Sequence, residues 1–425
     1  MGHQQREVHG ATQDWLSFLK LRASWGQNGN CNIAPFQYLS TIAFDNHAGY
    51  SFGNVKNTFQ QGAYPDILPN PDVTWETSDQ TDIGIDARFF RSRFGIAADW
   101  YVKKTKDWLV QAPILDTYGT NAPYINGGDV ENRGFEIAFD LHDQIGRDFT
   151  YGAGLNFSYN RNKITRIDNA EQIIWGQTNV LSEGTAAVYR CKVGEPIGYF
   201  YGYKTAGVFQ NQADIDAWKE QYGEKCFMQP SPHPGDLKFV DTNEDGVIDE
   251  RDKTNIGKPM PDWRMGINLN AAYKGFDIAI SGTAAFGQQI ARSYRAFTTG
   301  STDNSSTEYF NYWHGEGTSD RYPILAGTNN SFNWHQISDL YIENADYFRL
   351  KNLTVGYDFK NLLPAMPLSK ARIYFSAQNL FIITGYKGLD PEVGTSAGGD
   401  SWASGVDLGA YPSPRTYLVG LSIEF

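Results

Sequence analysis

Between Asp241 and Asp252 the chain reads DTNEDGVIDERD, which spaces side-chain oxygens at Asp241, Asn243, Asp245 and Asp249. Oxygen donors at the first, third, fifth and ninth places of a twelve-residue loop suit a calcium ion. A backbone carbonyl at the seventh (Val247) and an acid at the twelfth (Asp252) complete the set. Gly246 allows the sharp turn in between. The expected metal ligands are therefore Asp241, Asn243, Asp245, Val247, Asp249 and Asp252, holding calcium as a structural brace. Two features make that site weak. Asp252 is shorter than the glutamate that closes tight loops, and the preceding Leu237 to Val240 reads as extended chain, not as a helix. The competing reading is an acidic turn closed by its own Asx hydrogen bonds.

Gly394-Thr395-Ser396-Ala397-Gly398 matches the G-x-S-x-G of a hydrolase nucleophile elbow. That motif needs a strand-to-helix turn and a later histidine. Ser396 lies in a Gly-rich loop, and the last histidine is His335, so no catalytic residue is expected. Asp82 and Asp86, with Arg88 and Asp99 nearby, have the spacing of polar groups on one side of a strand, which explains them without acid–base chemistry. Cys31, Cys191 and Cys226 lack any metal-ligand spacing, and a Cys191–Cys226 disulfide is one alternative for the latter two. A net charge of -12 disfavours a nucleic-acid partner, and none is expected.

The elements that must carry these groups are strands. The final ten residues, TYLVGLSIEF, put Tyr417, Val419, Leu421, Ile423 and Phe425 on one face and Thr416, Gly420, Ser422 and Glu424 on the other. The same alternation recurs from Leu19, Thr81, Phe94, Phe135, Tyr151, Trp263, Ile278, Leu353 and Ile373, making ten strands. A phase conflict between Leu350 and Leu353 predicts a bulge near Lys351. No run of about 18 apolar residues exists, but a membrane strand needs only about 9 to 11 alternating ones. Turns such as Arg91 to Arg93, His142 to Asp148, Gly275 and Leu363 to Lys370 alternate with long connections at residues 27–72, 111–128, 165–261, 292–340 and 387–413. A transmembrane antiparallel β-barrel with all long loops on the external side satisfies this strict alternation. The fold class is thus all-β, with the apolar rows facing lipid.

Specific wording then carries a family resemblance. FLKLRASWGQNGN from Phe18, NPDVTWE from Asn70, GDVENRGFEI from Gly128, VGEPIGYFYGYKTAGVFQ from Val193, GDLKFVDTNEDGVIDERD from Gly235, FRLKNLTVGYDF from Phe348 and SAQNLF from Ser376 resemble the SusC/RagA class of TonB-dependent outer-membrane transporters. The resemblance implies a barrel of about twenty-two strands around a plug, located in the cell outer membrane. It implies import of oligosaccharides or peptides, driven by the TonB complex, with a SusD-like surface lipoprotein over the mouth. Plug, TonB-contacting segment and the N-terminal strands of such a protein have no counterpart, so residues 18–425 are expected to be the C-terminal part of the barrel and unable to transport alone. Residues 1–17 do not read like the family. Outer-loop aromatics Trp175, Tyr199, Tyr201, Trp313, Trp334 and Trp402 are expected to pack on a partner or on other loops more than on ligand. The rival from another class is a surface or secreted β protein that binds calcium and glycans.

Overall fold

Period-two alternation of apolar and polar residues builds one sheet of ten antiparallel strands in the computed structural model, which describes residues 15–51, 59–111, 114, 116–181, 184–292, 307, 311–325, 328–363, 365–392 and 402–425. The strands are β1 (Leu16–Asn30), β2 (Glu76–Phe89), β3 (Phe94–Lys106), β4 (Gly128–Ile145), β5 (Phe149–Ile167), β6 (Trp263–Tyr273), β7 (Phe276–Phe286), β8 (Tyr347–Asp358), β9 (Lys370–Thr384) and β10 (Thr416–Glu424). Each pairs only with its sequence neighbours, so the order in the sheet is the order in the chain. The sheet is open: β1 and β10 are its edges among the described residues. The expected start, residues 1–17, falls mostly outside the described residues.

Register turns the alternation into two continuous faces. Ile83, Trp100, Phe135, Tyr159, Trp263 and Phe286 are successive cross-strand partners, a belt along one rim of the apolar face. Phe149, Tyr273, Phe276 and Tyr357 form the matching belt at the other rim. Ten residue steps separate Trp263 from Tyr273. At about 3.3 Å per step and a tilt of about 40° they span about 25 Å, the height of a lipid-facing band. Val419, Leu421 and Phe425 are 77%, 66% and 94% exposed on that face.

Most turns on one side are as short as expected. β6 and β7 join through Lys274 and Gly275, both at positive φ (46° and 93°), the twist-matched two-residue hairpin. The turn expected over His142 to Asp148 is shorter, because β4 and β5 pair as far as Ile145 and Phe149. The bulge at Lys351 is present: Leu350 pairs with Gly282 and Asn352 with Ser281, leaving Lys351 over.

The hydrophobic core lies mainly in the long connections, joined by Val130 of β4 and Ile164 and Ile167 of β5. The connections are folded, not irregular. Residues 165–261 supply a four-stranded sheet (Ile173–Trp175, Tyr189–Lys192, Tyr199–Gly202, Thr254–Gly257), a hairpin (Thr205–Val208 with Leu237–Phe239) and helix α1 (Gln212–Tyr222). Gln289–Arg292 pairs with Ile342–Asn344 and, in parallel, with Val406–Asp407, tying two connections together. Tyr189, Phe200, Tyr203, Phe239, Leu237, Trp334, Tyr341 and Val406 bury their side chains in one cluster there. The first connection, expected as an irregular loop, carries a hairpin of Ile42–Ser51 and Phe59–Pro65.

Candidate functional site

On the face opposite the apolar rows, charges neutralise one another in ladders across strands. Arg22 of β1 donates from Nε to Asp86 Oδ2 (2.9 Å) and from Nη2 to Asp86 Oδ1 (3.0 Å) and Asp99 Oδ2 (2.9 Å), joining three strands. Arg88 bonds Asp140, and Arg372 Nε donates to Asp277 Oδ2 at 2.8 Å. Asp86 and Asp99 are therefore held as lining. Gly84 lies beneath the first ladder and Gly356 beneath Arg372. A Cβ at Gly84 would strike Asp99 Oδ1 and then the Arg22 guanidinium, and one at Gly356 the Arg372 guanidinium. Glycine here is a seat for a neighbour's side chain.

Where this lining meets the folded connections there is a cleft of about 670 Å³, bordered by Asn156, Arg264, Thr283, Tyr347, Lys351 and Glu392. Lys351, thrown out of register by its bulge, donates to Glu392 at 2.6 Å. Arg349 pairs with Asp390 beside it, so two adjacent cations of β8 clamp the connection after β9 over the cleft. Burial pushes the Asp390 carboxyl up. Backbone N–H donors from Ser413 and Glu392 and the Arg349 charge outweigh it, leaving the group below the usual carboxylate range.

The outer aromatics divide. Tyr199, Trp334 and Trp402 are 1%, 2% and 7% exposed, so loop packing accounts for them. Trp334 donates from Nε1 to Ile324 O at 3.0 Å, and Trp402 sits edge-on to Tyr189. Trp313 packs against the same cluster. Trp175 and Tyr201 flank Arg190, whose guanidinium carbon lies 3.2 Å from the Tyr201 ring centre and whose Nε donates to Tyr199 Oη at 2.7 Å. Cys191 and Cys226 do not form a disulfide. Cys191 is buried in the cluster, whereas the Cys226 thiol is directed at Trp218 O at the end of α1, and Cys31 is exposed.

The Asp241–Asp252 loop is turned as the spacing predicts, with Gly246 at φ 80°. Asp241 accepts from Glu244 N (2.6 Å) and Gly246 N (2.7 Å), Asn243 from Asp245 N (2.9 Å) and Asp245 from Val247 N (3.0 Å). The segment before it is the short strand Leu237–Phe239, extended as expected. Asp252 is fully buried, accepting from Thr242 N and Asp249 N, with Asp241 within hydrogen-bonding reach. Burial raises the Asp241 carboxyl, but those N–H donors hold it below its ordinary value. Arg251 occupies part of the donor set, lying 2.9 Å from Asp245 and 2.8 Å from Asp249. Among the described residues no group of three or more acidic, His or Cys side chains is gathered as a metal cage. Gly394 to Gly398 lie outside the described residues.

Residues 10–209 match the family described as TonB dependent receptor-like, beta-barrel. Over 420 residues the chain is 30% identical to the TonB-dependent receptor P3 of Formosa agariphila, which covers 96% of this chain and 39% of that protein. It is also 30% identical over 419 residues to the TonB-dependent receptor SusC of Bacteroides thetaiotaomicron, covering 96% of this chain and 38% of that one. The chain is a homologue of the TonB-dependent receptors, and residues 10–209 match their β-barrel family. The solved structure of the RagAB peptide transporter shares the fold of this receptor wall, with a TM-score of 0.73 at 24% identity, over 97% of this chain and 41% of that one. The TonB-dependent receptor chain is thus an outer-membrane protein of SusC/RagA type, and it spans about two fifths of the length of the relatives it matches.

Sequence reasoning missed the clamps that fasten this receptor's folded connections to its wall. Arg166, at the outer end of β5, reaches Asp107 (2.7 Å) and Asp129 (2.8 Å). Arg349, Asp390 and Glu392 form the other clamp, across a sequence separation of about forty residues. Neither has a local signal beyond the predicted bulge at Lys351.

Proposed function

We propose that this chain forms the C-terminal wall and outer cap of a TonB-dependent importer that passes bulky nutrients, oligosaccharides or peptides, across the outer membrane. The observation that carries this reading is the two-faced wall: an apolar band about 25 Å high outside, and ion-pair ladders inside that suit a wide watered or plug-filled lumen. The rival secreted binding protein would have to bury those apolar rows, and the wall leaves them exposed. A SusD-like lipoprotein is the partner proposed for the outer side. The connection between β1 and β2 supports it, exposing Phe36, Tyr38, Ile42 and Phe44 at 62%, 56%, 65% and 69%. TonB supplies the energy through parts of the receptor other than this wall. The test is growth of a deletion strain on single glycans or on peptide mixtures, with the gene restored as control. The reading predicts loss of growth on one class of nutrient, and unimpaired growth on all of them contradicts it.

The second part of the proposal is calcium at Asp241, Asn243, Asp245, Val247, Asp249 and Asp252. It is supported by the turned loop itself, which brings the Asp241 and Asp252 carboxyls within hydrogen-bonding reach of each other, close enough for both to face one ion. The N–H bonds use one lone pair of each oxygen, leaving others for a metal, while Arg251 would have to leave Asp245 and Asp249. Bound calcium would brace the turn. Affinity would be weak, about 0.1 to 1 mM as in extracellular modules. Calorimetry of the intact receptor should show calcium-dependent heat that Asp241→Ala with Asp245→Ala removes; no heat in the parent contradicts the site.

A further inference from the structure

The lipid-facing side carries, just outside its aromatic rim, a concentration of positive charge that the import function does not use. Two residues beyond the belt pair Phe135 and Tyr159, Arg133 of β4 stands directly opposite Arg161 of β5. Two further on, Glu131 stands opposite both Lys163 and, on β3, Lys104. Side chains two apart on a strand share a face, so all of these project outward with Trp100, Phe135 and Tyr159. Direct cross-strand partners have Cβ atoms about 5 Å apart, where like charges repel.

The acids present do not balance this charge. Glu131 is engaged by Arg133 at 2.6 Å and by Lys104 at 3.7 Å. Glu195, on the turn above, accepts from Asn255 Nδ2 at 2.9 Å. Arg161 and Lys163 are exposed and have no ion-pairing acid among the described residues. Around them is a depression of about 730 Å³, floored by Trp100, Phe135 and Tyr159 and roofed by Gly194, Glu195 and Pro196. Its floor is packed: Phe135 stacks on Tyr159, and Trp263 meets Phe135 edge-on and Tyr159 at a tilt, with ring centres 4.7 to 5.6 Å apart. The roof is fastened to β5, with Gly194 N donating to Ile164 O at 2.9 Å and Ile197 N to Asn162 Oδ1 at 2.8 Å.

We infer that this depression is a binding site for the anionic phosphate headgroup of an outer-leaflet lipid, held by Arg133, Arg161 and Lys163, with its acyl chains lying on the aromatic floor. The assignment rests on the membrane placement of the wall. Aromatic belts mark the headgroup level, so cations one step beyond them meet phosphate. Basic pockets at that depth bind anionic headgroups. A phosphate between Arg133 and Arg161 also turns their mutual repulsion into shared attraction, since guanidinium forks pair with phosphate oxygens.

The experiment is native mass spectrometry of the intact receptor, extracted from its outer membrane, delipidated and titrated with phosphatidylglycerol or phosphatidylcholine. The expected result is preferential retention of phosphatidylglycerol, weakened about ten-fold or more in Arg161→Ala/Lys163→Ala. Arg161→Lys/Lys163→Arg should retain it, and excess inorganic phosphate should leave the lipid bound. Equal retention of both lipids by the parent overturns the inference, whether or not any variant folds. Displacement by inorganic phosphate also overturns it, revealing a free-anion site. Heat-modifiable migration on gels reports membrane folding separately, so failure of the wall's placement is distinguishable from failure of the lipid site.

Discussion

The buried side chain of Asn333 donates from Nδ2 to Asp236 Oδ1 at 2.8 Å while its Oδ1 accepts from Leu237 N at 3.0 Å, across a sequence separation of nearly one hundred residues. Asn329 adds a donor to Asp236 Oδ2, and Gln229 Nε2 a second to Asn333 Oδ1. This knot fastens the connection after β7 to the one after β5, so the two form one cap.

Asn333→Ala therefore strands a buried carboxylate oxygen and a backbone N–H, and takes one of the two acceptors from Gln229 Nε2, which keeps Leu237 O. The expected cost is about 1–3 kcal/mol of cap stability. It should appear as faster hydrogen exchange over residues 229–239, with the wall strands unchanged. Unchanged exchange there contradicts the interlock.

Acid should release the connection after β9 before it harms the wall. Asp390 titrates below the usual carboxylate range when folded, so its stabilisation is present above the unfolded value of about 3.9 and is lost as pH falls through the folded value. Limited proteolysis over residues 387–413 should increase as pH drops below about 4. Asp390→Asn should be cleaved at neutral pH already. A variant that resists protease as well as the parent across that range refutes the clamp.

Gly84→Ala should break the Arg22–Asp86–Asp99 ladder, because the added methyl occupies the space of Asp99 Oδ1 and the guanidinium. A lower unfolding temperature of the heat-modifiable form is expected, partly restored by Asp99→Ala in the same chain, which removes the nearest clashing atom. If Asp99→Ala adds its own loss instead, the steric account is wrong.

The wall was legible because its code is local: in β6, Trp263, Met265, Ile267, Leu269, Ala271 and Tyr273 repeat every second residue, and one strand's phase constrains its partners. Even the Lys351 bulge showed as a phase conflict. The cap was not legible. Tyr189–Lys192 and Tyr199–Gly202 are four residues each and buried, too short for periodicity to register. Their partners Trp334, Tyr341 and Val406 arrive from other connections, so burial there is a property of the assembly. The acidic loop was legible as a turn, because Asx hydrogen bonds depend on residues two to five apart. Arg251, which competes for its oxygens, has no place in the ligand spacing and was passed over.

The account stands or falls on which face of the wall meets lipid, and adjacent positions of β6 decide it. Leu269 projects into the apolar band. Asn268 projects inward over Gly154, where a Cβ would meet its nearest atoms only at 3.8 Å, leaving room for a longer side chain. Denaturant unfolding of the intact receptor in lipid vesicles should show Leu269→Arg losing about 2 to 4 kcal/mol and Asn268→Arg almost nothing. Equal losses at the two positions, or the larger loss at Asn268, would contradict the assignment of outside and inside.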